Sequence, residues 1–481
     1  MKRYTLLLTL LVTLHVFAQD KTTIARQIQT IIDSANAVSG VCVIDATTGE
    51  EVFAVNEHQS FTQASAIKIP ILMELYKQAR EKKIDLMTIR AVSAKDKIGG
   101  SGILQSFADD VTLSVRDLAM LMVTQSDNAA TNILIDMVGM QNVTHLMQSL
   151  GMTNTKLQRK MMDTEAAKQG RENVSTPSEA AHILYLLYKG KFVDAALSNE
   201  IIDVLKKNAR KNSRVAASLP GKVEVAFKPG ALPDVSTEWT IVYAGNHPYI
   251  IAFMEKFKGA TYGNSLERIS KLVYNYFTLP PLRIVDKPVV FDKQRQELSI
   301  QYMKERHGIV TTAPYIKPRM IVLHWTAIPT LEQSFNAMNP AILPGARQNL
   351  ATASTLNVAA QFLIDKDGTV YRQLPDTAFA RHVIGLNYCA IGVENVGGVN
   401  NEPLTKEQLI ANEQLIRYLK FKYPDIEYVI GHYEYKLFDG TPLWKEADSS
   451  YRTTKNDPGE DFMKRVRADL SDLNLKGAPV K

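Results

Sequence analysis

Ser65-Ala66-Ile67-Lys68 is the stretch whose reading decides the fold. A serine hydroxyl is a poor nucleophile until a base removes its proton, and a lysine serves as that base only if its own pKa is lowered. Apolar residues recur at helical spacing from Ile67 to Arg80, so Ser65 and Lys68 read as a helix-entry pair with the amine one turn from the hydroxyl. Alone, a Ser-x-x-Lys is common and usually marks a solvated helix start. Here two further groups follow it, Ser126-Asp127-Asn128 and Lys228-Pro229-Gly230. A second cation at Lys228 depresses Lys68 further. Asn128, two residues after Ser126, alternates onto the substrate side if that loop is extended, where it holds a peptide amide.

Together, and in this order, the three groups resemble the class A β-lactamase and penicillin-binding-protein superfamily. The likeness covers about 23–277 and extends to Gly100-Ser101-Gly102-Ile103-Leu104 and Thr176-Pro177. It implies an antiparallel sheet with helices plus an all-helical subdomain. It also implies Ser65 as nucleophile, Lys68, Ser126, Asn128 and Lys228 as its catalytic company, and Gly230 on the substrate side. Two positions depart from the pattern. Pro229 stands where a threonine is usual, which removes a hydroxyl and a backbone N–H and alters carboxylate recognition. After Leu157 and Arg159 the lactamases place a glutamate that activates the deacylating water, whereas this chain reads Lys160-Met161-Met162. A thioether is no base, and Asp163 or Glu165 substitutes only if the loop is rearranged. Acylation of Ser65 by β-lactams or by D-Ala-type peptides and esters is therefore expected, and rapid turnover is not. A peptidase, esterase or drug-binding role stays open.

The second half reads as mixed α/β. A buried-type strand, Met320-Ile321-Val322-Leu323, ends at His324; Phe362-Leu363-Ile364, a turn at Asp365-Lys366-Asp367-Gly368 and Thr369-Val370-Tyr371 make a hairpin. Ala390-Ile391-Gly392-Val393-Glu394 is another strand, and a helix spans about Thr405 to Tyr423. His324, Glu394, His432, Lys455 and Asp457 are the residue types of a water-activating zinc site, although their separation along the chain proves nothing by itself. Their surroundings say more. His324-Trp325-Thr326, Ile391-Gly392-Val393-Glu394, Gly431-His432-Tyr433 and Lys455-Asn456-Asp457-Pro458-Gly459 resemble the type 2 N-acetylmuramoyl-L-alanine amidases and related peptidoglycan-recognition proteins, over about 318–470. That resemblance implies one Zn²⁺ on His324, His432 and Asp457, with Glu394 as general base and Lys455 as oxyanion stabiliser. It also implies cleavage of the amide between the muramic lactyl group and L-Ala. Two neutral imidazoles and one carboxylate leave such an ion net positive, which suits it to polarise a carbonyl. His382 matches a family histidine near the substrate, and Gln361 stands where relatives often carry His. Cys389 reads as a small buried residue. Trp325, Tyr433 and Trp444 either line a sugar groove or pack in the core.

Met1-Lys2-Arg3, an apolar run from Leu6 to Phe17 and Val16-Phe17-Ala18 before Gln19 form a secretory signal cleaved near Ala18. The run is short of the ~20 residues of a spanning helix, so a periplasmic or secreted protein with no stable membrane anchor is expected. Cys42 and Cys389, the only cysteines, fall in different halves and exclude a disulfide framework. Formal charge is +6, and losing Lys2 and Arg3 leaves +4. That mild excess favours an anionic wall polymer and is too diffuse to argue for nucleic acid. The expected plan is a signal at 1–18, a serine hydrolase domain at 23–278, a linker at 279–317 with room for one short helix, an amidase domain at 318–471 and a tail at 472–481. The expected partners are peptidoglycan or muropeptides, with β-lactams as a second class. The alternative is a wall-fragment or β-lactam sensor whose serine domain binds without efficient turnover.

Overall fold

The computed structural model describes residues 14–16, 21–259, 263–280, 282–345 and 353–480. The chain divides into two compact units, Asp20–Leu279 and Pro280–Lys481, the second also taking in the short strand Leu14–Val16. The rest of the expected signal lies outside the described residues. Among those described, no helix is long and apolar enough to cross a membrane.

In the first unit, β1 (Ala37–Asp45), β2 (Glu51–Val55), β3 (Glu224–Leu232), β4 (Val235–Tyr243) and β5 (Tyr249–Phe257) form an antiparallel sheet in the order β2-β1-β5-β4-β3. Successive side chains of a strand face opposite ways, and here both faces are apolar. Val41, Val43, Ile251 and Phe253 pack against helices α1 (Lys21–Asp33) and α7 (Ser265–Thr278), which supply Ile24, Ile28, Ile269 and Val273. Cys42, Ile44, Ile250 and Ala252 pack on the other side, in a core shared with α2 (Lys68–Arg80), α3 (Val115–Thr124), α4 (Asn128–Val138), α5 (Pro177–Tyr188) and α6 (Ala195–Lys206). Caps set the helix starts: Ser114 accepts from Asp117 N, Asp127 from Ala130 N and Thr176 from Glu179 N, with Pro177 in the first turn of α5. This is the β-lactamase-like architecture expected, an antiparallel sheet flanked by helices with a helical subdomain.

The second unit is built on β6 (Arg283–Asp286), β7 (Met320–Trp325), β8 (Phe362–Ile364), β9 (Val370–Arg372), β10 (Ala390–Asn395) and β11 (Tyr428–Gly431). From the Leu14–Val16 edge the sheet runs β6-β9-β8-β10-β7-β11. It is mixed: β8/β9 is an antiparallel hairpin, and β8, β10, β7 and β11 run parallel. Helices α8 (Lys293–His307), α9 (Leu331–Met338), α10 (Lys406–Lys422) and α11 (Glu460–Asp469) complete it, with Ile321, Leu323, Ile391 and Val393 buried against α10 and α11.

The stretch read as a linker is different in the structure. Leu282, Ile284, Tyr302, Met303 and Ile316 enter the second unit's core, β6 pairs in parallel with β9, and α8 is a full helix of 15 residues, capped by Asp292 and ended by Gly308 at φ 65°. Prolines and charges here punctuate a folded segment rather than a flexible one.

Two candidate catalytic sites

Ser65 lies in a 3-10 turn, Ala64–Ile67, that leads directly into α2, so Lys68 is the first residue of that helix. Ala64 adopts φ 46°, which turns the chain sharply before the serine. Lys68 is fully buried, and its Nζ donates to Ser126 O at 2.6 Å, Ser126 Oγ at 3.2 Å and Asn128 Oδ1 at 3.2 Å. Lys228 Nζ approaches the same Ser126 Oγ at 3.1 Å. One hydroxyl therefore bridges two buried amines. Burial first, and the Lys228 charge second, hold Lys68 well below the usual lysine range; burial pulls Lys228 down to about 7. A neutral amine is the form that takes a proton. Among the described residues, the hydrogen bonds of Lys68 go to Ser126 and Asn128 and not to Ser65.

Asn128 reaches this group differently from the sequence expectation. The Ser126 loop is not extended: Ser126 has φ 52°, and Asn128 opens α4 behind the Asp127 cap. Asp127 also accepts from Ile103 N at 2.7 Å and Leu104 N at 2.9 Å, which ties the Gly100–Leu104 loop to the same turn. Gly230 faces the serine turn so closely that a Cβ there would lie 2.5 Å from Gln63 O and 2.9 Å from Ala66 N. Pro229 is accommodated because β3 is the edge strand, where a missing N–H breaks no ladder bond. At the loop after Arg159, Asn132 holds the Met161 backbone on both sides, donating to its O at 3.1 Å and accepting from its N at 2.8 Å. The Met161 side chain is buried. Neither alternative carboxylate replaces it: Asp163 caps the helical turn Thr164–Lys168, and Glu165 pairs with Lys168 at 2.7 Å on the surface.

The second site stands at the carboxyl ends of parallel strands, where open α/β sheets place their ligands. His324 on β7 pairs in register with Glu394 on β10, and β11 runs beside β7 with Leu323 opposite Gly431. Side-chain parity then puts His324, Glu394 and His432 on the face away from α10 and α11. Asp457 is brought in by its own backbone, its carbonyl accepting from Tyr433 N at 3.1 Å. His324 Nδ1, His432 Nδ1 and Asp457 Oδ2 converge, with separations of 2.9, 3.2 and 3.0 Å.

The donors fit a single cation. Ala390 O can only accept, so His382 Nε2, 3.2 Å away, carries a hydrogen; His382 Nδ1 then accepts from His324 Nε2 at 3.0 Å, and His324 Nδ1 is left as a bare lone pair. Burial and His324 keep His382 well below the ordinary histidine range, and burial with His324 brings His432 to about 4, so both are neutral. Burial by itself raises the Asp457 carboxyl, but the closeness of the two imidazoles, His324 and His432, holds it well below the carboxylate range. A lone pair and a carboxylate oxygen thus face each other with the His432 nitrogen. Two ligands of a tetrahedral zinc ion stand about 3.4 Å apart at ordinary bond lengths, close to these separations.

His382, expected beside the substrate, is buried behind His324 as well as lining a small cavity. Gly392 makes room for its ring, since a Cβ there would lie 2.7 Å from it. Gln361 is a strut, donating to Ala378 O at 2.8 Å and accepting from Gly392 N at 2.7 Å. Lys455 is exposed and borders both that cavity, of about 70 Å³, and a groove of about 500 Å³. Trp325 and Tyr433 line the groove, together with Asp461 and Arg465, two residues that sequence reading missed because nothing in a helix start marks them. Trp444 packs on Tyr435 and Gly385 instead. Cys389 is buried and its thiol is pushed up to about 12, as suits an inert core residue.

Fold and geometry define a protein of two hydrolase-type units, one with a serine-lysine centre and one with a histidine-aspartate cluster. Residues 23–277 match the family model described as beta-lactamase enzyme family, and residues 314–460 match that of N-acetylmuramoyl-L-alanine amidase. The chain belongs to the beta-lactamase enzyme family and carries an amidase-family region after it. An imipenem-hydrolyzing β-lactamase from Enterobacter cloacae is 26% identical over 248 residues, covering 50% of this chain and 84% of its own. A β-lactamase from Bacteroides uniformis is 24% identical over 279 residues, covering 54% and 92%. The crystal structure of a β-lactamase from Chitinophaga pinensis aligns with a TM-score of 0.50 at 20% identity, over 53% of this chain and 98% of that one, which shows the shared fold.

Proposed function

We propose that the protein is an exported, bifunctional hydrolase of peptidoglycan, in which the second unit cleaves the MurNAc–L-Ala amide with the aid of one zinc ion and the first performs acyl-enzyme chemistry at Ser65. The observation that carries the zinc reading is the convergence of His324, His432 and Asp457, with Glu394 in register beside His324. A zinc ion held by these three supplies Lewis acidity towards a carbonyl and a water. Glu394 takes the proton of the attacking water on its carboxylate and passes it to the leaving amine. Lys455 lies at the mouth of both cavities, where its ammonium steadies the oxygen that gains charge. Trp325 and Tyr433 offer the groove flat apolar surfaces of the kind that sugar rings stack upon.

In the first unit, Lys68 as a neutral amine takes the Ser65 proton, and Ser126 relays a proton between Lys68 and Lys228. The buried Met161, with Asp163 and Glu165 engaged elsewhere, supports a narrower reading of this unit as one that acylates and holds its adduct, the behaviour of a β-lactam or wall-fragment sensor. Export is supported by the sequence of residues 1–18.

Muropeptide digestion followed by mass spectrometry, comparing the native protein with Glu394→Gln and Ser65→Ala, tests the assignment. Release of free stem peptide is expected to vanish in Glu394→Gln and on chelation and to persist in Ser65→Ala. Undiminished release after chelation refutes the zinc mechanism.

A further inference from the structure

Between Asp439 and Gly459 the chain has neither helix nor strand, yet this long loop carries Lys455 and Asp457. Irregular segments of such length keep a fixed shape only when they are tied down. The ties on one side come from the end of α8, which lies before the stretch matched by the amidase family. Ala447 N donates to Arg306 O at 3.0 Å, and His307 Nδ1 donates to Lys445 O. The Arg306 guanidinium meets Glu446 at 2.8 Å, with the Glu446 side chain 0% exposed, and lies 4.8 Å over the Tyr451 ring. One turn earlier, Tyr302 forms part of the wall of the small cavity that His382, His432 and Lys455 also line. At the other end of the helix, Arg295 is buried and donates to Met338 O at 2.8 Å, Asn339 O at 3.1 Å and Pro340 O, closing the C-terminus of α9. The loop has other fastenings, Lys445 N to Gly385 O at 3.0 Å and Tyr388 OH to Leu443 O at 2.9 Å. Losing α8's grip therefore loosens the loop without dissolving the unit.

We infer that α8 is a clamp belonging to the second catalytic site, and that Arg306 is a positioning residue that fixes the loop bearing Asp457 and Lys455. The inference rests on the reading of His324, His432 and Asp457 as a metal set. Removing Arg306 strands a buried carboxylate, which Glu446 relieves by turning out to water and drawing the loop with it. Asp457 then spends part of its time away from the two imidazoles, and the metal set loses its third donor.

The test uses the full chain, Zn²⁺ alone as the probe and competition with a chelator as the readout, alongside limited proteolysis of the metal-free protein. Arg306→Met is expected to weaken Zn²⁺ binding about 10-fold or more, in the range seen when groups behind a metal ligand are removed. New cleavage is expected between 439 and 457, with covalent labelling of Ser65 by a penicillin unchanged. Arg306→Met with Glu446→Met, which removes the buried charge as well, is expected to recover most of the affinity. If Arg306→Met does not fold, His307→Phe keeps the ring packing, removes only the bond to Lys445 and is expected to shift affinity in the same direction by less. Native affinity and an unchanged cleavage pattern in a folded Arg306→Met or His307→Phe overturn the clamp while leaving the metal reading intact. A native protein that binds no Zn²⁺ overturns both.

Discussion

His324 offers its Nδ1 lone pair because a carbonyl two side chains away, Ala390 O, determines which nitrogen of His382 carries the hydrogen. Replacing His382 by Phe keeps the ring volume above Gly392 but frees the His324 ring to flip or change tautomer. Zn²⁺ affinity measured by competition is expected to fall roughly 10- to 100-fold; an unchanged affinity means the relay has no role. At the serine centre the sign of the pH effect follows from two depressed lysines. Lys68 acts as a neutral base, so acylation rises as pH climbs through its pKa and levels above it. Lys228 helps keep that pKa low, so in Lys228→Ala the acid limb of the acylation rate, followed by stopped-flow labelling with a chromogenic cephalosporin, moves to higher pH. A limb that stays put or moves down rejects the assignment of Lys68 as the base. Met161→Glu, at a backbone that Asn132 holds in place, puts a carboxylate into the stretch after Arg159 that here reads Lys160-Met161-Met162. Many turnovers of nitrocefin are expected where the native protein gives little beyond a stoichiometric burst. The residue types of both centres were legible in the sequence because their chemistry restricts the choice to a few side chains. The route by which Asn128 arrives was not: alternation presumes an extended chain, and a left-handed Ser126 followed by an Asp127 cap replaces it with a turn into a helix.

Elements matter through what they force together. Gly230 lets β3 lie against the serine turn; a Cβ there would strike Thr237 Oγ1 and, on the turn itself, Gln63 O and Ala66 N, which are backbone and cannot rotate away. Gly230→Ala is expected to lose about 1–3 kcal/mol of stability through overpacking and to slow Ser65 acylation far more than that implies, by separating strand and turn. A thermal melt and a labelling rate check the two effects; unaffected labelling shows the contact to be idle. The helix α8 illustrates the opposite difficulty, an element whose place the sequence concealed. Its buried face is Arg295, Ser299, Tyr302, Met303 and His307, a helical spacing written mostly in polar residues. Hydrophobic periodicity sees only a charged stretch between prolines, because the carbonyls that make Arg295 and His307 buriable lie 43 and 138 positions further along the chain.

At the scale of the whole molecule, each unit has its own core and its own chemistry, so the two activities are expected to separate cleanly. Chelation should abolish stem-peptide release and leave penicillin labelling of Ser65 intact, and intact-mass measurement before and after metal removal checks this. Loss of labelling on chelation contradicts the division. The division into two hydrolase-type halves, the strands that carry His324 and Glu394, the helix after Ser65 and the candidate residues were present in the linear text, since local patterning, caps and short motifs depend on neighbours a few positions apart. Tertiary structure alone decided the rest: that three donors separated by up to 133 positions meet at 3.2 Å or less, that His382 stands behind His324, and that a supposed linker clamps the loop of Asp457. Convergence of this kind is set by sheet register and by the burial of charges against distant partners, and neither leaves a periodic trace in the chain that carries it.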